Sequence, residues 1–339
     1  MTSPRVVQLV HSTKGRKIAL VEEPLLRILH GAPSLYEWAI NALQKNRPLS
    51  EMLLEAEPES HECYDTIYSG LSEWRLLPAF DHPEHRSRCL VSGTGLTHDA
   101  SAKNRDTMHE NATQATTDQT DSRKMFEWGR KGGKPPAGKI GIQPEWFYKG
   151  NGAILRGHGE SLDIETFAEG GGEEPEIVGL YLIDSDGAPR RIGYAAGNEF
   201  SDHTMEQKNY LYLAPSKLRQ ASIGPEALIG ELPAQISGMV SIYRGNECLW
   251  SSQINTGEAN MTHSLANLEH HHFKYPQHRQ PGDVHVYFFG ADSFSFGSGI
   301  FLQQGDTMSV EWNELGRPLI NSISDKKEIG QHITIVNPV

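Results

Sequence analysis

The sequence predicts an α+β fold, with a small α+β domain over residues 1–88 and a β-rich region over residues 89–339. Three observations predict it. Helical patterning with a recognisable cap is confined largely to the first segment. After Pro135 the chain turns into short β-prone runs punctuated by glycine. No repeat at a fixed period organises the chain into a solenoid or propeller.

Taken in order, Val6–Val10 and Lys17–Glu22 read as strands joined through Ser-Thr-Lys-Gly. Ser34-Leu-Tyr-Glu37 has the spacing of a capping box, and Trp38, Ala39, Ile40 and Leu43 follow as an apolar face. Asn46-Arg-Pro ends that helix, and a second runs through Met52, Leu53 and Leu54. Pro78 to Arg88 is a polar connector. Cys89-Leu-Val-Ser reads as a strand, and the long polar run that follows predicts a mobile lid at about residues 99–134. Strands are expected at Trp146–Tyr148, Ile177–Ile183, Gln235–Tyr243, Val284–Phe289 and Thr307–Trp312, with turns at Asp186-Gly, Arg244-Gly-Asn, Pro281-Gly-Asp and Gln304-Gly-Asp. Two further helices are expected, around Ser216–Leu228 and Ser264–His270.

The chain has 339 residues, enough for two or three domains and a sizeable core. Its 43 acidic against 31 basic residues give a net charge of −12, which argues against nucleic acid as a partner. Cys63, Cys89 and Cys248 are odd in number and show no metal-knuckle spacing, so neither a disulfide framework nor a zinc site is expected. No apolar run approaches membrane-spanning length, and the start MTSPRVVQLVHSTKGRK has no signal-peptide core. A cytoplasmic protein with no membrane partner is the expectation.

The acidic run Glu173-Glu-Pro-Glu-Ile-Val-Gly-Leu carries the first chemical signal. On a strand, Glu174 and Glu176 share a face about 6–7 Å apart, and that face continues through Val178, Leu180 and Leu182. Two inward carboxylates are stable only when a cation neutralises them, and all-oxygen ligation favours Mg²⁺, Mn²⁺ or Ca²⁺. The alternative is a solvated strand start beside Pro175. Glu199, in Gly-Asn-Glu-Phe-Ser-Asp-His203, offers a third carboxylate or an ordinary turn acid. Lys149 emerges from the aromatic run Trp146-Phe-Tyr, and Lys217 opens a helical segment. Each is either a surface lysine or a partner for a substrate carboxylate or a proton. His270-His-His272 reads as a surface-helix feature, Arg190-Arg191 as solvated, and Tyr287, Phe288, Phe289, Phe294 and Phe296 as core or dimer contacts.

The ordered series of motifs resembles the fumarylacetoacetate hydrolase family. Glu174-Pro-Glu176 resembles its Glu-x-Glu, Asn198-Glu199-Phe-Ser201 its Asn-Asp-x-Ser, Pro144-Glu-Trp-Phe-Tyr-Lys149 its Pro-x-x-Phe-x-Lys, and Lys217 its helix-borne lysine. Pro281-Gly-Asp, Phe301-Leu-Gln-Gln-Gly-Asp and Leu315-Gly-Arg-Pro-Leu-Ile-Asn321 extend the match, which covers about residues 89–323. The resemblance implies a β-rich catalytic roll, a Mg²⁺ or Mn²⁺ ion on Glu174, Glu176 and Glu199, a small-molecule 2-keto acid substrate, and a homodimer. Departures matter: Glu199 stands where the family usually has Asp, His98 lacks a Glu at the third following position, and Phe289-Gly-Ala-Asp292 replaces Thr-Gly-Thr-Pro.

These departures weaken the case for water attack on a carbon–carbon bond, the chemistry of acylpyruvate and diketo-acid hydrolases. The runs Ser92-Gly-Thr-Gly-Leu-Thr-His98 and Gln143-Pro-Glu-Trp-Phe-Tyr-Lys-Gly150 are similar to the family's 2-keto-3-deoxy-pentonate dehydratase branch. That likeness implies a Mg-dependent lyase of pentose catabolism giving a 2-keto semialdehyde such as 2-oxoglutarate semialdehyde. Lys217 or His98 would take the C3 proton, and Lys149 would hold the substrate's negative charge. A 2-keto-acid-binding module without turnover is the non-enzymatic alternative.

Overall fold

The structure is a computed structural model of the chain and describes residues 3–99, 121–326 and 333–339. The N-terminal segment forms β1 (Arg5–His11), β2 (Gly15–Glu22), β3 (Leu25–Leu29), β4 (Pro58–Cys63) and β5 (Trp74–Leu76). Between β3 and β4 lie α1 (Leu35–Gln44) and α2 (Leu49–Glu55), and α3 (Tyr64–Tyr68) precedes β5. The capping box is present: the Ser34 hydroxyl accepts from Glu37 N, and the Glu37 carboxylate accepts from Ser34 N.

The rest contributes β6 (Cys89–Gly93), β7 (Phe147–Asn151), β8 (Leu155–Arg156), β9 (Ser161–Ile164), β10 (Pro175–Ile183), β11 (Pro189–Asn198) and β12 (Ala221–Leu228). Then follow β13 (Ile236–Arg244), β14 (Glu247–Thr256), β15 (Val284–Phe288), β16 (Thr307–Trp312) and β17 (Leu319–Asp325). The larger sheet runs β4-β3-β2-β1-β12-β11-β10-β15-β6-β7, with β5 paired to β1 and β8 to β12. The second runs β14-β13-β16-β17-β9. The N-terminal strands thus continue the larger sheet through the antiparallel pairing of β1 with β12.

All nine residues of β10 are buried, and its alternation separates two cores. Val178, Leu180 and Leu182 pack with Trp38, Ala39, Met52 and Leu53 of the two N-terminal helices. Ile177, Tyr181 and Ile183 pack with Val240, Val310 and Trp312 of the second sheet and with Leu268 and Phe273. The central strand is therefore sandwiched between helices and a sheet. Tyr287, Phe288 and Phe289 lie in these cores, as expected.

Several local expectations change. Residues 216–228 are not a helix: Lys217 closes the short helix Leu213–Lys217, and Ala221–Leu228 is β12. That stretch carries Gly224-Pro225, a pair unfavourable to a helix interior. Helix Leu265–Phe273 exists, but it is not a surface element on its histidine side. His271 and His272 are buried, and His272 stacks on Tyr287 at 4.4 Å and bonds His285 at 2.9 Å. Arg191 is paired with Glu269 at 2.9 Å rather than simply solvated. Of the expected lid, residues 100–120 lie outside the described residues, whereas Asp121–Gly132 is a helix that seats Phe126 against Leu96. Among the described residues no helix is long and apolar enough to cross a membrane.

Candidate metal centre and active site

Two backbone connections build the site. The segment before β10 and the bend after β11 lie side by side, because Pro175 pairs with Asn198 and Glu176 with Gly197. Asn198 organises the junction: its Oδ1 accepts from Glu174 N at 3.2 Å and from Phe200 N at 3.3 Å. Glu199 N donates to Glu174 O at 2.9 Å. Carboxylates separated by a long stretch of chain are thereby fixed on one spot.

Glu174, Glu176 and Glu199 are all buried, and one ligand oxygen from each lies within 4.8 Å of the others. Among the described residues this is the one cluster of at least three acidic, His or Cys groups close enough to hold an ion. Glu174 Oε1 accepts from His203 Nε2 at 2.9 Å and from Lys217 Nζ. Glu176 Oε2 accepts from Gly290 N at 2.7 Å, while its Oε1 is buried with no hydrogen-bond partner among the described residues. Glu199 Oε1 accepts from Lys149 Nζ at 2.5 Å. Its Oε2 accepts from Lys217 Nζ at 2.7 Å and from the Ser201 hydroxyl at 3.0 Å.

The two lysines are both buried, so neither is a surface group. Lys149 lies on β7 between exposed Tyr148 and the strand's end. Its ammonium donates to Glu199, to Phe200 O at 2.7 Å and to Lys217 O at 3.0 Å, which uses all three N–H groups. Lys217 spans Glu174 and Glu199 and sits 5.0 Å from the Phe147 ring centre.

Electrostatics follow from this packing. Burial and the charges of Glu199 and Glu174 push Glu176 well above the ordinary glutamate value. Burial and the Glu174 charge push Glu199 up to about 7, against the pull of Lys149 and Lys217. Burial would raise Glu174 as well, yet Lys217 and His203 hold it well below the usual range. Burial likewise pulls Lys149 below its ordinary value, with Glu199 opposing. Two carboxylates that resist ionisation beside an orphaned buried oxygen define a site short of positive charge. An all-oxygen donor set of this kind fits a hard divalent cation.

His98 is also buried, but its described hydrogen bonds go elsewhere. The Thr97 hydroxyl donates its proton to Phe289 O at 2.7 Å, so His98 Nδ1, 2.9 Å away, must be the donor to Thr97. Nε2 is then the acceptor, and the Thr256 hydroxyl lies 3.0 Å from it. Burial lowers the ring's pKa to about 4 and keeps it neutral. Three buried neighbours were not singled out by sequence reasoning. His203 bonds Glu174; Glu206 has a carboxylate oxygen 3.9 Å from Lys217 Nζ; Glu173 accepts from Ser295 N at 2.6 Å and from its hydroxyl at 2.9 Å. Only the position of His203, four residues after Glu199, hinted at a role.

No protein-family model matches the chain. A curated protein of Haloferax volcanii, described as "Probable 2-keto-3-deoxyxylonate dehydratase", is 27% identical over 187 residues. That match covers 54% of this chain and 61% of the relative. The 2-dehydro-3-deoxy-D-arabinonate dehydratase of Saccharolobus solfataricus is 26% identical over 122 residues, covering 34% of this chain and 40% of that protein. The matched regions thus span less than two thirds of either relative's length. Among solved structures, 2-keto-3-deoxy-D-arabinonate dehydratase complexed with magnesium and 2,5-dioxopentanoate superposes with a TM-score of 0.70 at 15% identity, covering 95% of this chain and 99% of that one. The 2-hydroxyhepta-2,4-diene-1,7-dioate isomerase of Mycobacterium marinum gives 0.58 at 13% identity, with 96% and 99% covered. The chain shares the fold of these enzymes, and the sugar-acid branch of the motif resemblance agrees with the names of its sequence relatives.

Proposed function

We propose that this chain is a metal-dependent hydro-lyase that dehydrates a 2-keto-3-deoxy sugar acid, a pentonate, to a 2-keto semialdehyde. The observation that carries the reading is the buried Glu174–Glu176–Glu199 cluster with its unpartnered Glu176 oxygen. The two sequence relatives, both described as dehydratases of such acids, support the substrate class. The three glutamates would hold Mg²⁺ or Mn²⁺. When bound, such a cation supplies Lewis acidity that draws electrons from a 2-oxo group and acidifies the adjacent C3.

We assign the C3 proton to Lys217, whose Nζ lies against Glu174 and Glu199 at the centre of the site. Lys217 Nζ also faces the Ser201 hydroxyl at 3.1 Å, so it must give up a proton to these partners before it can act as the base. His98, whose Nε2 faces the Thr256 hydroxyl, is the alternative base. Lys149 has its three donors engaged within the protein, so its role is to brace Glu199 rather than to hold substrate. Loss of the C3 proton and of the C4 hydroxyl expels water, and tautomerisation places the aldehyde at C5. Residues 1–88 contribute none of these side chains and serve as a supporting domain. A homodimer remains our expectation for the assembly.

The test is proton NMR of 2-keto-3-deoxy-pentonate turnover in D₂O with Mg²⁺, with and without EDTA. A 2-keto semialdehyde formed only with the metal, with deuterium entering at C3, is the expected result. Pyruvate plus a two-carbon aldehyde would instead establish carbon–carbon cleavage.

A further inference from the structure

His203 does not belong to the three carboxylates or two lysines, yet it is buried against them. Its Nε2 lies 2.9 Å from Glu174 Oε1. The ring is stacked on Phe294, with centroids 4.8 Å apart and planes 24° apart, and Phe296 flanks it at 5.2 Å. Its opposite edge abuts Gly172, where an added Cβ would lie 2.4 Å from Nδ1. Nδ1 is buried and has no hydrogen-bond partner among the described residues.

These facts fix the tautomer. A proton on Nδ1 would be buried with nothing to accept it, whereas a proton on Nε2 points at a carboxylate oxygen. The ring therefore donates through Nε2. Its mount is rigid. His203 opens the helix His203–Lys208, which Asp202 caps by accepting from Met205 N at 3.0 Å. Asp202 is in turn held by Arg219 at 2.9 Å and accepts from Glu169 N at 2.9 Å. The Gly172 backbone pairs with Ser201 on both sides, at 2.9 and 3.0 Å.

We infer that His203 is a positioning residue for the cation site: its Nε2–H, together with Lys217, occupies Glu174 Oε1 and leaves Oε2 as the ligating oxygen. This rests on the metal-binding part of the proposed function. Partners of this kind typically change metal affinity 10–100-fold when removed, because an unheld carboxylate samples rotamers that do not ligate.

The experiment uses the full chain, stripped with EDTA and titrated with Mn²⁺, with free Mn²⁺ read by electron paramagnetic resonance. His203→Phe keeps the stacking and loses the donor. His203→Gln keeps an N–H at about the reach of Nε2. His203→Phe is expected to weaken Mn²⁺ binding about 10-fold or more, and His203→Gln to recover most of it. Gly172→Ala, whose Cβ would lie 2.4 Å from Nδ1 and so displaces the ring from Glu174 without removing its donor, is expected to weaken binding too. Wild-type affinity in His203→Phe would overturn the inference and leave the metal site intact. Equal weakening in His203→Phe and His203→Gln would also overturn it, since the ring would then act by packing alone. Failure of the wild-type chain to bind Mn²⁺ would remove both this inference and the metal reading beneath it.

Discussion

Replacing Lys149 by methionine separates a bracing lysine from a substrate-binding one. The residue is 1% exposed and its ammonium has three partners: Glu199 Oε1, Phe200 O and Lys217 O. Methionine fills similar volume with no donor. Glu199 would then lose one of its two cationic partners in a buried setting, which typically costs about 3–5 kcal/mol. Two carbonyls would lose a donor, adding up to about 1 kcal/mol each where water cannot replace it. Against a total stability of about 5–15 kcal/mol, a loss of about 4 kcal/mol is large. Urea unfolding followed by circular dichroism, in excess EDTA at pH 7, measures it without any contribution from cation or substrate. The double variant with Glu199→Gln should be more stable than the sum of the single losses by about 2 kcal/mol, because removing the carboxylate removes the charge left stranded. A Lys149→Met protein within about 1 kcal/mol of wild type that nonetheless failed to turn over substrate would refute the reasoning and return this lysine to substrate contact.

Three other outcomes follow from the same geometry. Magnesium at about 100 times its Kd should stabilise the chain by about 2.7 kcal/mol over the EDTA-treated form. Glu176→Gln, which can keep the bond from Gly290 N, should lose that gain; an equal thermal shift in the variant would contradict ligation by Glu176. His285, lowered to about 3 by burial and by His278, stays neutral while the unfolded chain takes up a proton below 6.5. Its contribution to stability is therefore complete above pH 6.5 and is lost as pH falls toward 3, by up to about 1.4 kcal/mol per unit. His285→Gln should flatten the fall in urea midpoint between pH 7 and 5, and an unchanged slope would show that another group dominates. Cys63 and Cys248 are exposed whereas Cys89 is buried on β6, where burial pushes its thiol up. A disulfide exchange reagent should titrate two thiols in the native chain and the third only after denaturation. Three rapid thiols would contradict the packing of β6.

What was legible in the sequence was local. The Ser34–Glu37 box, the β1–β2 hairpin and the strand Thr307–Trp312 follow from caps, turns and β-prone runs with little tertiary input. The Glu-x-Glu motif was visible because two carboxylates leading into an apolar strand conflict with burial unless something neutralises them. The misreadings have a common cause: partners distant in the chain decided them. Ala221–Leu228 is a strand because β1 and β11 supply its hydrogen bonds from either side. His272 is buried because β15 places His285 and Tyr287 against it, which no local pattern announces. The role of His203 was similarly hidden. Its partner lies 29 residues earlier, and only the pairing of β10 with β11 brings the two together.

The same pairing logic gives the first 88 residues a physical connection to the chemistry they do not touch. They have a hydrophobic cluster of their own, from Val7, Leu9, Ala19, Leu26, Ile28, Tyr64, Ile67, Trp74 and Leu76. They also share an apolar core with β10, and a polar tie to the rest is centred on β12. Glu226 on that strand is buried, pairs with Arg5 at 2.9 Å, and accepts from the Tyr64 hydroxyl at 3.0 Å and from Arg317 N at 3.1 Å. Arg317 in turn holds Glu23 through two bonds, at 2.8 and 2.6 Å, and reaches Asp65 at 2.8 Å. Its guanidinium lies 3.9 Å from the Tyr64 ring centre. A buried carboxylate with this many donors admits one arrangement of its neighbours, because each donor it lost would leave charge unsatisfied. The strand so fixed begins four residues after Lys217. The N-terminal segment thus pairs with β12 and holds its Glu226, and the short turn leading into that strand carries the Lys217 ammonium to Glu174 and Glu199.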